Sequence, residues 1–382
     1  MSTATTAQPS PSARVSGVLA GCRLGGTPSS HRKASFGLAF QQIVLGVLPV
    51  LLTAALLMRI LGANAAFDFK NAYWTAAHRL LFGGNPYAWT PAQVQKNLAF
   101  VYPALSALVF VPFALFSPGV GSVLLLTFVC MALTPFTLWI SNVRDWRIYG
   151  ITLMWLPVFV CWQTVNETIF LVAMVALVWR YRDHPRAAGI LTAVAISLKP
   201  FIWPLALWLL ATRRWRASIY SVACGVVLNV GAWAVVGFGE IHDYLRSAAL
   251  DTHYAWNAGY SVAAFAAHLG FAHSAGDVLT ILVALVLACS VVYAAFQKRC
   301  ELHALTLAIA LMLVASPVVW NHYFALLLVP MALARPRFSW LWALPVLMWA
   351  CPQGFQVHGW QEDLTWIIAG TLLFTATRRG NA

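Results

Sequence analysis

Residues 36–70 read FGLAFQQIVLGVLPVLLTAALLMRILGANAAFDFK. The stretch from Phe36 to Leu61 is almost wholly apolar, and it exceeds the roughly 20 residues that carry a helix across hydrocarbon. An acid, Asp68, stands just beyond its end, followed by Phe69 and Lys70. Polar and aromatic residues then continue to about Phe100, after which Val101-Tyr102-Pro103-Ala104-Leu105 turns apolar again. This order predicts a spanning helix, an outer loop that begins with a carboxylate, and a return to lipid.

Working outward, the same pattern recurs along the chain. Of 382 residues, 61% are hydrophobic and 9% charged, whereas a soluble domain carries about 25% charged residues. The expected fold class is therefore all-α, a polytopic transmembrane bundle of about 10 spans plus re-entrant segments. Residues 1–35, rich in Ser, Thr, Pro and Gly, read as a disordered cytoplasmic tail, and 36–382 as one membrane domain. Gly62-Ala63-Asn64-Ala65 resembles a signal-peptidase site, but the preceding run is too long for a signal peptide and Arg59 interrupts its end, so an uncleaved anchor is expected.

The net charge is +13. Its basic residues lie in short tracts between apolar runs: Arg180 to Arg186, Arg213-Arg214-Trp215-Arg216, and Arg335 with Arg337. Such tracts mark cytoplasmic loops. No basic face interleaved with aromatics appears, which excludes nucleic acid as a partner. Seven cysteines are spread singly, without metal-ligand spacing, and read as buried thiols. No phosphate loop, dinucleotide fingerprint, HExxH or CxxC is present, so neither a metal nor a cofactor is expected.

The charges predict a layout. A first span over about 36–61 runs outward to an outer loop at 62–97. Spans at about 98–116 and 119–141 form a hairpin turning inside at Ser117-Pro118-Gly119. The run 147–161 is short and reads as re-entrant with both ends outside. After an inward span at 164–180, residues 187–211 carry basic residues at both ends and form a helical hairpin from the inside, breaking at Leu198-Lys199-Pro200. Further spans are expected near 216–238, 276–297, 302–316, 318–334, 338–351 and 362–377, with a second outer loop at about 239–258. Within the first loop, Phe69, Tyr73, Ala76, Ala77, Leu80 and Leu81 recur at helical spacing, predicting an amphipathic helix in the interface.

Three residues stand out chemically. Asp68 at the head of that helix fits an N-cap; an ionised, positioned carboxylate there also fits a general base. Lys199, inside an apolar run beside Pro200, is costly in lipid and so marks function unless it snorkels. It offers a point charge for a phosphate. His322, in Trp320-Asn321-His322-Tyr323, is a hydrogen-bonding residue at the outer end of a span. Secondary candidates are Gln163, Thr164, Asn166 and Glu167, which capping also explains, and Asn257, Tyr260 and Ser261, which a turn explains. Trp74 and Trp256 are aromatic platforms for a sugar.

The segments Asp68-Phe69-Lys70 with Tyr73, Gly84-Asn85-Pro86-Tyr87, Tyr102-Pro103-Ala104-Leu105, Val165-Asn166, Leu198-Lys199-Pro200 and Asn321-His322-Tyr323, in this order, resemble the polytopic glycosyltransferases of family 87, of GT-C architecture. The resemblance implies transfer of a mannose- or arabinofuranose-type sugar from a polyprenyl-phosphate donor to an envelope glycan or glycolipid acceptor. It places the catalytic base at Asp68 and the donor phosphate at Lys199 and His322. From the charge layout and the single well-placed carboxylate, the reaction is expected on the outer face of the cell membrane, with inversion. Arg79 and Arg246 are further candidates for the phosphate charge, and Asn166, Gln163, Tyr73, Trp256 and Asn257 for substrate binding. A multi-span transporter or lipid flippase, or a non-catalytic subunit of polysaccharide assembly, also fits broken helices and an intramembrane Lys; no internal repeat supports the transporter.

Overall fold

The computed structural model describes residues 39–60, 65–256, 258–297, 301–351, 357 and 359–379. Met1–Gln41 and Gln42–Ala382 group as separate units. The first is described at Ala39–Gln41, which are helical, so the tail expected at 1–35 lies outside the described residues. Everything below concerns the second unit.

All described regular elements are helices. Four helices among the described residues are long and apolar enough to cross a membrane: Ala39–Met58, Ser122–Ile140, Trp215–Val236 and His273–Phe296. Three of the four bury little of their length. Val222, Val227, Leu285 and Val286 stand exposed along two of them, a contiguous apolar surface that suits lipid rather than water. The shorter helices Thr168–Arg180 and Glu301–Val314 are mostly buried. The long helices thus expose most of their apolar length, while the short ones make up much of the buried interior.

The segment around Lys199 folds as two apolar helices, Pro185–Leu198 and Pro204–Ala211, joined by a tight turn at Pro200–Ile202. Pro200 cannot donate to the ladder, and its ring disfavours a helical residue before it; Lys199 is extended, at φ −138° and ψ 108°. The feet of the two helices meet, since Arg214 Nη2 donates to Asp183 Oδ1 at 3.0 Å and Arg214 Nε to the Arg182 carbonyl at 3.0 Å. Lys199 thus sits at the tip of a closed hairpin.

Two segments of the expected layout pack closely on the loops beside them. Helix Ala104–Ala114 stays against the first loop. Phe110 and Phe113 pack on Phe69, Tyr73 stacks on Phe110 at 4.6 Å, and the Trp74 indole donates to the Phe116 carbonyl at 3.0 Å. The helix therefore packs along the start of 69–81. Conversely, the run expected to be re-entrant is a long broken helix, Trp146–Thr152 then Leu156–Thr164. At its start Asp145 Oδ2 accepts from the Phe338 amide at 2.9 Å, and Arg147 lies over the Phe338 ring at 5.3 Å. At its finish the Gln163 carbonyl accepts from Ala66, two residues before Asp68.

Helix Gly359–Arg379 measures the separation between these levels. It meets Arg335 through the Thr375 carbonyl and Ala350 through Gln361, about 20 Å apart at 1.5 Å per residue. Residues 142–147 consequently sit beside the basic tract at 335–337, not on the opposite side from it.

Gly150 permits the closest contact in this region: a Cβ there would fall 1.6 Å from the Leu45 carbonyl oxygen. Indole N–H groups, which need partners in an apolar interior, find carbonyls: Trp155 bonds that of Trp342, and Trp349 that of Met154.

Asp145 caps Trp146–Thr152 and joins it to Phe338. Bonds from Arg147 hold its carboxyl down, at about 2. A carboxyl depressed on folding stabilises above its unfolded pKa and loses that contribution as pH falls through the folded one. Asp145→Ala should lower stability by about 1–3 kcal/mol near neutrality. The deficit should fade as pH drops from about 4 toward about 2. Thermal unfolding of detergent-solubilised protein checks both; an undiminished deficit at acid pH would contradict this role.

Candidate functional site

Asp68 does not cap the helix it precedes. Its own backbone is helical, at φ −67° and ψ −40°, and its side chain takes no capping bond. The carboxylate turns inward, where Asp68 Oδ2 accepts from Asn166 Nδ2 at 2.7 Å. The other end of that amide is heavily used. Asn166 Oδ1 accepts from Lys199 Nζ at 3.0 Å, Thr168 Oγ1 at 2.7 Å and the Thr168 amide at 2.9 Å. An ammonium only donates and a carboxylate only accepts. The Asn166 carbonyl must therefore face Lys199 and its NH₂ must face Asp68. This fixes the amide orientation without ambiguity.

Local backbone strain aims Asn166. Val165 lies in the left-handed region at φ 53° and ψ 51°, a rare conformation for a β-branched residue. It ends Leu156–Thr164 abruptly, and the next helix starts at Thr168. Asn166 and Glu167 are thereby held between two helix ends, both buried. Such strain persists where surrounding structure enforces it, and it clusters at working sites.

Lys199 is buried at 2% exposure. Besides Asn166 it donates to Thr168 Oγ1 at 3.2 Å, lies 3.9 Å from Glu167 Oε1, and sits over the rings of Tyr102 and Tyr323 at 4.8 and 5.2 Å. The snorkelling alternative is therefore not what the structure holds. Lys199 instead stands behind Asn166, away from the cavity wall. Glu167 accepts no hydrogen bond at either oxygen, so the Lys199 charge is its compensation.

In front of Asp68 opens a cavity of about 430 Å³. Asp68, Gln163 and Thr164 form one side, Asn321, His322 and Tyr323 another, and Lys96 and Asp251 come from the two long loops. His322 is buried with no hydrogen-bond partner at Nε2. The wall at 318–322 is clamped by the second loop: the Tyr260 amide donates to the Val319 carbonyl at 2.8 Å. Gly259 makes this approach possible, with φ +81° and room for no Cβ, which would fall 2.6 Å from the same oxygen. Burial pushes the Asp68 carboxyl above its ordinary value, opposed by the bond from Asn166 and by the Lys199 charge.

Of the residues singled out in the sequence, Asp68, Gln163, Thr164 and His322 share this cavity, and Asn166 and Lys199 stand directly behind it. Tyr73 is buried against Phe110 beneath the loop and does not line the wall. Arg79 is used structurally, donating to the Ala88 carbonyl at 2.9 Å and lying over Trp89 at 4.0 Å. Arg246 is exposed on Ile241–Ala255 and is not on the wall. Trp256 meets His273 edge-on, away from the cavity. Asn257 lies outside the described residues. Sequence reasoning missed Thr168 and Lys96; for Thr168 the available signal was its place two residues after Asn166, within reach of the same amide oxygen.

The buried pair makes a stability prediction. Lys199→Met leaves Glu167 as an uncompensated buried charge and should cost about 3–5 kcal/mol. Adding Glu167→Gln should recover at least half of that loss. Unfolding of the single and double variants in detergent checks it; equal loss in both would mean that the two charges are uncoupled.

The model of glycosyltransferase family 87 matches residues 100–317, more than half of the chain. The match contains Asn166, Lys199 and Asp251, while Asp68 and His322 lie just outside it and are joined to it by the contacts above. The chain is also 24% identical over 292 residues to the polyprenol-phosphate-mannose-dependent alpha-(1-2)-phosphatidylinositol mannoside mannosyltransferase of Mycolicibacterium smegmatis. That alignment covers 66% of this chain and 61% of the relative, so the chain spans about three-fifths of the relative's length. No solved structure matches. On the family match, this chain belongs to glycosyltransferase family 87.

Proposed function

We propose that the protein is an inverting glycosyltransferase that moves a sugar of mannose or arabinofuranose type from a polyprenyl-phosphate donor to a glycan or glycolipid acceptor. The relative's dependence on polyprenol-phosphate-mannose supports that donor class. The observation that carries the reading is the Asp68 carboxylate on the cavity wall, held by an amide whose orientation Lys199 and Thr168 determine.

In the proposed step, Asp68 takes the proton of an acceptor hydroxyl as that oxygen bonds to the anomeric carbon. The bond from that carbon to the phosphate oxygen breaks on the opposite side. Polyprenyl phosphate leaves with the electron pair and needs no general acid. One carboxylate suffices for a single displacement with inversion, whereas retention would call for a second nucleophile. His322 Nε2 stands unpartnered on the wall and is assigned to the leaving phosphate. Lys199 acts on the same charge from behind Asn166. Arg79 and Arg246 have no part in the step.

The layout supports a site on the outer face of the cell membrane. The basic tracts pair by contact: 144–147 with 335–337 through Asp145 and Phe338, and 180–186 with 213–216 through Arg214 and Asp183; in this reading both pairs lie at one level. The cavity lies at the other. Under the positive-inside rule the basic level is cytoplasmic. Residues 69–81 and 104–114 then form a paired layer over the outer end of the bundle.

Asp68→Asn keeps shape and removes the base. Transfer from a polyprenyl-phosphate sugar should fall about 10²–10⁴-fold with thermal stability near that of the parent protein. Transfer near the parent rate in a folded Asp68→Asn protein would refute the assignment. A base works deprotonated, and burial raises this carboxyl. The parent rate should therefore be flat at neutral pH and fall on acidification at a pH above the ordinary Asp range of about 3.9. A rate that rises on acidification would contradict an Asp base.

A further inference from the structure

Asp251 has no role in the step just described. It lies on helix Ile241–Ala255, which is anchored at its start by Asn85 Nδ2 donating to Asp243 Oδ2 at 2.7 Å and by Tyr87 against Tyr244 at 5.6 Å. Ser247 and Ala255 are the buried positions of this helix. Asp251 stands one turn from each, and residues four apart share a face. That face looks into the cavity that holds Asp68. The sequence signal is an acid on the inward face of an amphipathic helix.

Among the described residues no hydrogen bond or ion pair reaches the Asp251 carboxylate. Burial alone pushes it up, to about 6, with no charged neighbour offsetting the shift. A half-buried carboxylate without a partner gives up part of its hydration for nothing in return. The Asp145 carboxylate in the same chain shows the usual arrangement, with four donors around it. Asp251 is thus an acceptor with open capacity, and what meets it must donate. A phosphate is repelled by it. A metal ion would need companions, and among the described residues no cluster of three ligating side chains exists. Sugar hydroxyls are the donor-rich part of a lipid-linked sugar or a glycan. Tyr323 and Trp320, on the same cavity wall, add the aromatic surface on which a sugar ring packs.

We propose that Asp251 is a sugar-recognition residue whose carboxylate accepts hydrogen bonds from adjacent hydroxyls of a sugar ring in the cavity, and so selects which sugar is used. Resting on the transferase reading, it separates the cavity into two poles. The phosphate is held near His322, and the ring hydroxyls are read by Asp251. A carboxylate sets two acceptor atoms at fixed spacing, so it distinguishes a sugar with both hydroxyls on one side from its epimer. The ring belongs either to the donor or to the acceptor.

Two ligand pairs separate those sources without relying on catalysis. The first is polyprenyl phosphomannose against polyprenyl phosphate; the second is dimannosylated phosphatidylinositol against phosphatidylinositol. Thermal stabilisation of the detergent-solubilised full chain by each member is compared for the parent, Asp251→Ala and Asp251→Asn. The parent should respond more to the sugar-bearing member of at least one pair. Asp251→Ala should lose that excess and keep the response to the sugar-free member, with Asp251→Asn in between. In transfer assays, KM for the same sugar-bearing substrate should rise roughly ten- to hundredfold in Asp251→Ala, with a smaller change in kcat. An excess undiminished in Asp251→Ala, or none in the parent for either pair, overturns the proposal. A parent protein that transfers no sugar yet shows an Asp251-dependent excess would sink the transferase reading and leave sugar recognition standing.

Discussion

One amide holds the site together. Asn166 joins a carboxylate that only accepts to an ammonium that only donates, and each end of the amide can serve only one of them. Much of the surrounding structure brings those three groups into line. The first loop delivers Asp68, the strained turn at Val165 presents Asn166, and the hairpin tip at Lys199-Pro200 carries the cation. If any one were displaced, a charged group would stand unpaired in an interior of low polarity, at a cost of several kcal/mol. That constraint explains why the chain keeps short buried helices inside a jacket of long apolar ones. The short helices end at the depth where the polar groups are needed, and the long ones keep lipid away.

The same logic accounts for the cavity. Its polar wall residues come from segments far apart in sequence, and two backbone contacts tie four of these segments in pairs: Ala66 to Gln163, and Tyr260 to Val319. The unpaired acceptors and donors that remain, Asp251 and His322 Nε2, face the cavity where a substrate can complete them. Family membership and the relative's donor agree with the proposed step, in which a lipid phosphate would itself be the leaving group.

Asp68 was legible because a carboxylate just past a spanning run has few other uses, and His322 because it ends an apolar run beside Asn321 and Tyr323. The break at Lys199 was legible from Pro200. The reach of charged side chains was not. Arg79 looked like a phosphate ligand but is taken by the Ala88 carbonyl and Trp89, a contact between residues that helical periodicity does not bring together. Lys199 looked as if it faced the substrate, and the sequence offered no sign that Thr168 and Asn166 would enclose it. The packing of Ala104–Ala114 and of 146–164 was not legible for a related reason. Apolar length alone does not say what a helix lies against, and contacts such as Trp74 to Phe116 and Asp145 to Phe338 join residues far apart in sequence.

The most direct measurement is an electron cryomicroscopy structure of the full chain bound to a non-transferable donor analogue, a polyprenyl phosphonate carrying a C-linked mannose, together with a glycolipid acceptor. The account predicts the analogue's phosphonate beside His322. It predicts the acceptor hydroxyl within about 3 Å of an Asp68 carboxylate oxygen, on the face of the anomeric carbon opposite the phosphonate. An anomeric carbon facing away from Asp68, or a phosphonate seated against Asp68 itself, would contradict it.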